Sequence, residues 1–400
     1  MRILVVCHRF PYPPARGGKI RPFNIIKHLS QNHRVTVASL ARSREEAKQG
    51  EGIAPHCERY LMETIPTVSA WARLWLNLPT STPSSMGYFY SLRLARRIEA
   101  ELAREAFDLI FVHCSSVAPY VEQVRGIPKV MDFGDMDSQK WLTYAEVRRF
   151  PLSLGYRIEG RKLERAEARI AGNFDLCTCT TRAELESLRE LGAATPSDWF
   201  PNGVDLQKFK PTDAPYDRDT ICFIGRMDYY PNQEGVLRFC EEALPRLKAA
   251  RPSVKLQIVG AAPSREILSL GAIPGVTVTG TVPDVQPYVQ KSCLTVAPLS
   301  IARGTQNKIL ESLAMGVPVV TSDLAAKGVD VVPGEHLLAA GDADAFAAAV
   351  LRLLESEAER QRFAEAGRRR VESHHSWPAS MRKLDGILDG LLAKPIPAAG

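Results

Sequence analysis

No stretch of the 400-residue chain approaches the ~20 consecutive apolar residues that a bilayer-spanning helix needs, so no such helix is expected. The apolar run ILVVC after Met1 and Arg2 is closed by His8 and Arg9. It is too short for the core of a secretory signal and fits a first buried strand, so a cytoplasmic protein is expected. A disulfide framework is also missing. Of the 8 cysteines, Cys7, Cys114, Cys222 and Cys293 lie inside apolar, strand-like runs and read as small core residues. Cys177 and Cys179 share one face of a strand, but no second Cys/His pair has zinc-like spacing, so no metal site is expected. Reduced thiols suit the cytoplasm. Neither charge dominates: Lys plus Arg is 51 and Asp plus Glu is 45, a net +6. That is too weak to argue for nucleic acid, and it admits anionic ligands or an anionic membrane face. The dinucleotide fingerprint Gly-x-Gly-x-x-Gly does not occur after the first strand.

What is there is enough apolar sequence for a large core, 45% hydrophobic against 24% charged residues, which excludes a disordered or fibrous chain. Short apolar runs alternate with helical periodicity. Strands are expected at 2–7, 34–40, 108–114, 129–133 and 175–180, with helices at 19–31, 88–106 and 155–172. The pattern restarts with strands at 220–226, 254–260, 276–280, 293–299 and 317–322. Helices are expected there at 232–250, 283–290, 307–315, 343–355 and 358–373. Runs without polar alternation indicate strands covered on both faces, hence parallel sheets in an α/β fold. The Pro- and Asp-rich stretch 194–219 lacks periodicity and reads as a linker, and the tail 393–400 reads as disordered. Ligands of open α/β sheets bind beyond the carboxyl ends of the strands, so functional residues are sought there.

Three such places carry chemistry. Arg16-Gly17-Gly18-Lys19 follows the first strand and opens a helix, where backbone amides favour an anion; a tight turn with solvated cations is the plain alternative. Arg303, Gly304, Thr305, Gln306, Asn307 and Lys308 enter another helix, an amide-lined start with two cations suited to a diphosphate. Glu311, one turn on, can accept hydrogen bonds from ribose hydroxyls or simply pair with Lys308. Arg226 emerges from the strand at 220–226, where a cation can neutralise a leaving phosphate. Asp132, Asp135 and Asp137 cluster after a strand, as metal ligands, acceptor contacts or, for Asp137, a helix cap. Segment 71–97 interleaves Trp71, Trp75, Tyr88, Phe89 and Tyr90 with Arg93, Arg96 and Arg97. It reads as a patch for an anionic membrane or as a packed amphipathic helix.

In order and spacing, FIGRMDYYPNQEGVLRFCEEALPRL, LQIVGAAP, VTVTGTVPDVQPYVQKSCLTVAPL, KILESLAMGVPVVTS and HLLAAGDADAFAAAV resemble a family 4 retaining glycosyltransferase of the GT-B fold, over about residues 2–392. The GRMDYYPN loop, ARGTQNKILESLAMG and MDFGDMDSQKW further resemble the sugar transferases of PEP-CTERM/exosortase exopolysaccharide loci. The resemblance implies two Rossmann-like domains with parallel sheets facing a central cleft. The acceptor domain would be 1–195, with 376–392 crossing back onto it, and the nucleotide-sugar domain 196–375. It implies a UDP- or GDP-linked sugar donor, a lipid-linked or oligosaccharide acceptor, no metal or other cofactor, and a location on the inner face of the cytoplasmic membrane.

Residue by residue, Glu311 matches the second Glu of the family's Glu-x7-Glu motif, the ribose ligand, while position 303, that of the first Glu, holds Arg303. Arg226 matches the Arg of a phosphate-binding Arg/Lys pair. The Lys is missing near Pro231-Asn232, so Lys308 or Arg303 is expected to supply its charge. His113 ends the strand that carries the family's Asp-x4-His, near the reacting sugar, with a core or capping His as the plain alternative. Gly17 and Gly18 match the glycine loop at the donor phosphates, and Val282 the position that reads the base. His113, Arg226 and Lys308 are thus expected to be catalytic, and Arg16, Lys19, Asp135 and Asp137 to meet the acceptor. Two other readings of the same fold are a hydrolysing nucleotide-sugar epimerase and a non-catalytic sugar-nucleotide-binding subunit.

Overall fold

The continuous apolar runs become parallel strands buried on both faces. The computed structural model describes residues 1–14, 17–65 and 67–393, and the chain divides into two units. Arg16 and the tail beyond Ala393 lie outside the described residues. The first unit is Met1–Phe200 together with the chain from Met381 on; the second is Pro201–Ser380.

The first unit holds β1 Arg2–Cys7, β2 Arg34–Ala41, β3 Arg59–Thr64, β4 Leu109–His113, β5 Lys129–Gly134, β6 Leu176–Cys179 and β7 Ser197–Trp199. They form one parallel sheet in the order β3-β2-β1-β4-β5-β6-β7. The second unit holds β8 Asp217–Ile224, β9 Lys255–Val259, β10 Val276–Gly280, β11 Ser292–Ala297, β12 Val319–Ser322 and β13 Leu338–Ala340. These are also parallel, in the order β10-β9-β8-β11-β12-β13. The α/β expectation of two Rossmann-like units therefore holds.

The misses have physical causes. β3 and β7 are edge strands with half-buried, mixed sequences, so they show no continuous apolar run. β13 is only three residues long. The expected linker 194–219 already contains β7 and the start of β8. The helix expected at 88–106 starts instead at Leu92, because the Ser91 hydroxyl accepts from the Leu94 amide (3.4 Å) and caps it. Helices Arg44–Gly50, Thr67–Asn77 and Arg182–Glu190 also lie outside the expected set. The C-terminal helix Trp377–Leu392 leaves the second unit at Ser380 and is held on the first. There Asp385 meets His28 at 2.8 Å, and the Lys383 ammonium lies 3.4 Å above the Trp199 ring centre.

Each sheet reverses its strand order once, between β1 and β4 and between β8 and β11. Loops leave in opposite directions on either side of such a point, which opens a crevice at the carboxyl ends of the strands. At the second reversal Gly260, just past β9, abuts Gly225. A Cβ at Gly260 would lie 1.7 Å from the Gly225 carbonyl oxygen, so only glycine lets the loop after β8 pass.

Candidate active site

The candidate residues form two groups, one at each reversal. In the first unit, β4 ends at His113, and the next residue, Cys114, adopts φ 81°, a left-handed backbone that a side chain resists. His113 pairs in register with Asp132 of the neighbouring β5, and its Nδ1 lies 2.7 Å from Asp132 Oδ2. Asp132 is fully buried. Arg21, on the helix Gly17–Leu29 and equally buried, grips it from Nε to Oδ2 (2.9 Å) and from Nη2 to Oδ1 (2.8 Å). Thr178 donates to Oδ1 at 2.9 Å. Arg21 Nη1 also donates to the Phe200 carbonyl (2.9 Å), and its guanidinium stacks 3.6 Å from the Phe200 ring centre.

Burial alone would raise the Asp132 pKa. Arg21 and His113 outweigh it and hold the carboxyl well below the ordinary aspartate range. An ionised carboxylate only accepts, so Nδ1 of His113 carries a proton and Nε2 is the nitrogen left for a ligand. The His8 ring, just past β1, sits 5.7 Å from that of His113. Burial first, then His113, push its pKa well below that of a free histidine, so it stays neutral. Gly18 lies against it: a Cβ there would stand 3.7 Å from the His8 ring and from Arg9 Cδ. Arg21 and His8 were invisible as site residues in the sequence. Their signal is positional: His8 directly follows β1 at the reversal, and Arg21 lies one turn past Gly17 on its helix.

The acceptor expectation for Lys19 needs revision, and the three aspartates part company. Lys19 is buried in an ion pair with Glu46. Burial pushes the Glu46 carboxyl up, but the Lys19 hydrogen bond prevails and its pKa falls, so Lys19 is already committed. The three aspartates do not converge. Asp132 turns to Arg21, the exposed Asp135 accepts from the Thr180 hydroxyl (2.7 Å), and Asp137 accepts from the Cys114 thiol (3.6 Å). Met136, not Asp137, is the N-cap of the helix Asp137–Val147. Burial keeps the Asp137 pKa raised. Behind it Glu167 is fully buried and pushed up to about 8 by burial.

In the second unit the groups flank β8 and β11. Lys308 lies on the first turn of the helix Asn307–Ala314. Its Nζ donates to Asn232 Oδ1 (2.5 Å) and sits 4.5 Å over the Phe223 ring. Asn232 Nδ2 in turn donates to the Arg226 carbonyl (2.8 Å). Asn232, which stands in the region of the missing family Lys, thus joins the loop after β8 to the helix after β11. Burial lowers the Lys308 pKa to about 7, partly countered by Glu311. Glu311, one turn on, is pushed up to about 7 by burial, with Lys208 and then Lys308 pulling it back.

Ahead of the helix, Gly304 adopts φ 64°, and the buried Thr305 hydroxyl has no hydrogen-bond partner. Gln306 is the N-cap, yet its side chain turns back to the carbonyls of Arg303 (3.2 Å) and Gly304 (3.4 Å). The amides of this helix start therefore have no side-chain cap. An uncapped, positive helix end beside an orphaned hydroxyl and a half-buried Lys is suited to an oxyanion. Arg226 is placed differently: it is half-exposed and clasps Asp228 through Nε (3.0 Å) and Nη2 (2.6 Å). Val282 is half-buried against the core two residues beyond Gly280.

Residues 16–208 match the family described as Glycosyltransferase Family 4, and residues 218–356 match Glycosyl transferases group 1. The first half of the chain is thus similar to the family 4 glycosyltransferases and the second half to the group 1 glycosyl transferases. A phosphatidyl-myo-inositol mannosyltransferase of Mycobacterium leprae is 29% identical to this chain over 216 residues, 52% of this chain and 56% of that protein. A GDP-mannose-dependent monoacylated alpha-(1-6)-phosphatidylinositol monomannoside mannosyltransferase of Corynebacterium glutamicum is 26% identical over 243 residues, 55% of this chain and 63% of that protein. The chain thus spans little more than half the length of these relatives. Among solved structures, sucrose-phosphate synthase from Thermosynechococcus elongatus matches at TM-score 0.72 and 18% identity, over 98% of this chain and 99% of that one. Anabaena HepE in complex with UDP matches at TM-score 0.72 and 15% identity, over 98% and 100%. These likenesses, with the two parallel sheets, give the fold as GT-B.

Proposed function

We propose that this glycosyltransferase moves a sugar from a nucleotide-diphosphate donor to a glycan or lipid-linked acceptor with retention of configuration, in exopolysaccharide assembly at the inner face of the cytoplasmic membrane. The observation that carries the reading is the uncapped helix start at Asn307, where Thr305 Oγ1 lacks a partner among the described residues and the half-buried Lys308 stands beside it. A diphosphate there gains helix-end amides, a hydroxyl and a cation, and the same groups stabilise the charge that develops as the glycosidic bond breaks. Glu311 accepts from the ribose hydroxyls and Val282 lines the base. Arg226 reaches phosphate on letting go of Asp228. His113 offers Nε2 to the transferred sugar. The HepE structures, which hold UDP and UDP-glucose, and the phosphatidylinositol in the relatives' names favour this substrate class.

The test is a panel of UDP- and GDP-sugars with a membrane extract, followed by nucleoside diphosphate release and the anomeric coupling of the product. Release without an acceptor would indicate an epimerase-like hydrolysis. Binding without release would indicate a non-catalytic subunit. Glu311→Gln should weaken nucleotide diphosphate binding by about 1–3 kcal/mol, the range for a charged hydrogen bond. Calorimetric titration reads it, and unchanged affinity removes the ribose role. His113→Ala should abolish most turnover with nucleotide affinity intact. Full activity of that variant would return His113 to a core role.

A further inference from the structure

We propose that the tip of the hairpin formed by the helices Asp137–Val147 and Leu152–Gly172, together with the outer face of the helix Thr67–Asn77, docks onto an anionic lipid bilayer. The surface lies wholly in the first unit and is independent of what the acceptor is. Its sequence, VRRFPLSLGYRI from Val147 to Ile158, was not among the expected membrane segments. In the structure Phe150 is 79% exposed, and Val147, Leu152, Leu154 and Ile158 are exposed with it. Large apolar side chains exposed at the turn of a hairpin form a wedge.

A second apolar face continues from it. On the helix Thr67–Asn77, Val68 (85% exposed), Trp71, Trp75 and Leu76 (70%) recur at helical spacing on the outside, while among its described residues only Ala70 is buried. The two faces are clamped together. Lys162 Nζ donates to the carbonyls of Asn77 (2.9 Å) and Leu78 (2.8 Å). Glu159 accepts from the Ser84 amide (3.1 Å) and from the Ser85 amide and hydroxyl (2.9 Å each). Exposed Leu78 and Ile158 flank this clamp, so the apolar surface runs on across it.

Charge decides the occupant. From Ile65 to Ile98 there is no Asp or Glu, while Arg73, Arg93, Arg96 and Arg97 are present. From Val147 to Ile158 there is again none, against Arg148, Arg149 and Arg157; Glu146 precedes the stretch. Arg97 pairs with Glu63 (2.7 Å) and Arg73 donates to the Gly87 carbonyl (3.0 Å). Arg149 and Arg157 remain exposed among the apolar residues of the tip, and Arg93 and Arg96 are exposed on the helix Leu92–Arg104. Exposed apolar and aromatic side chains interspersed with guanidinium groups match the acyl boundary and phosphates of an anionic leaflet, with Trp at headgroup depth.

The test uses the full chain and vesicles of about three parts phosphatidylcholine to one part phosphatidylglycerol. Flotation at about 0.1 M salt should show binding that falls at least about tenfold at about 0.5 M salt, as screening shortens the reach of the guanidinium groups. It should fall at least about tenfold in the triple variant Phe150→Ser, Leu152→Ser, Leu154→Ser, and likewise in Arg149→Glu, Arg157→Glu. All these positions are exposed, so thermal unfolding should match wild type, and Leu268→Ser, an exposed leucine of the second unit, should bind normally. Brominated lipid should quench fluorescence from Trp71 and Trp75, a loss removed by Trp71→Phe, Trp75→Phe. The proposal is overturned if wild type does not float, or if the tip variants bind within about twofold of it. It is also overturned if the triple variant instead dissolves a dimer of a chain that never floats, which would give the surface to a second copy. Sugar transfer to a soluble acceptor is measured separately, so a failure here leaves the transferase reading standing.

Discussion

Replacing Lys308 with methionine lowers kcat/KM for sugar transfer by about 2–4 kcal/mol, roughly thirty- to nine-hundred-fold, the scale of losing one donor that stabilises developing charge. Methionine keeps the apolar stem against Phe223, so what is lost is the ammonium and its bond to Asn232. The effect carries a pH signature. Burial has brought Lys308 down to about 7. Below that pH the ammonium is charged and ready for a diphosphate. As the pH rises through 7, the free protein must take up a proton in order to bind, so nucleotide affinity declines on the alkaline side. Glu311 works in the opposite sense: it is pushed up to about 7, so a falling pH protonates the ribose acceptor. Affinity should therefore peak near neutrality. Comparing variants with wild type cancels the ionisation of the nucleotide itself. Lys308→Met should flatten the alkaline limb and Glu311→Gln the acid limb. An alkaline limb that persists in Lys308→Met would show that Lys308 does not hold the diphosphate. Arg226→Ala should cost less, because that side chain is half-exposed, screened by solvent and already paired with Asp228.

Arg21→Met should destabilise the first unit by about 3–5 kcal/mol, because it leaves the carboxylate of Asp132 buried with its main counter-charge gone. Urea unfolding measures the loss. The sign with pH follows from the depressed Asp132 pKa. The stabilisation is fully present above the pKa of an unfolded aspartate and fades as pH falls through the lower folded value. The difference between wild type and Arg21→Met should therefore shrink in acid. Activity should fall as well, since His113 loses the anchored partner that fixes its Nδ1 proton. Arg21→Lys restores a charge but not the two-pronged grip, and should recover only part of either loss. If Arg21→Met unfolds like wild type, the buried pair is not what holds this corner together.

The sequence by itself determined the α/β class, most of the strands and the helix beginning at Asn307. Strands buried on both faces must be written as continuous apolar runs, and a glycine-bearing loop that enters a helix is a local pattern. For the same reason Glu311 and Lys308 were legible as a pair one turn apart. Only the tertiary structure decided which polar residues meet. Arg21 and Asp132 are 111 residues apart, and Asn232 and Lys308 are 76 apart. Nothing local in either segment marks its partner, because the meeting depends on where the sheet reverses its strand order. The same holds for what turned out otherwise. Lys19 reads as a free cation until Glu46 comes to lie beside it, and nothing in the sequence singles out Phe150 and Leu152 until the hairpin leaves them outside. Periodicity reports which residues are apolar, and long-range packing selects which of them find something to cover.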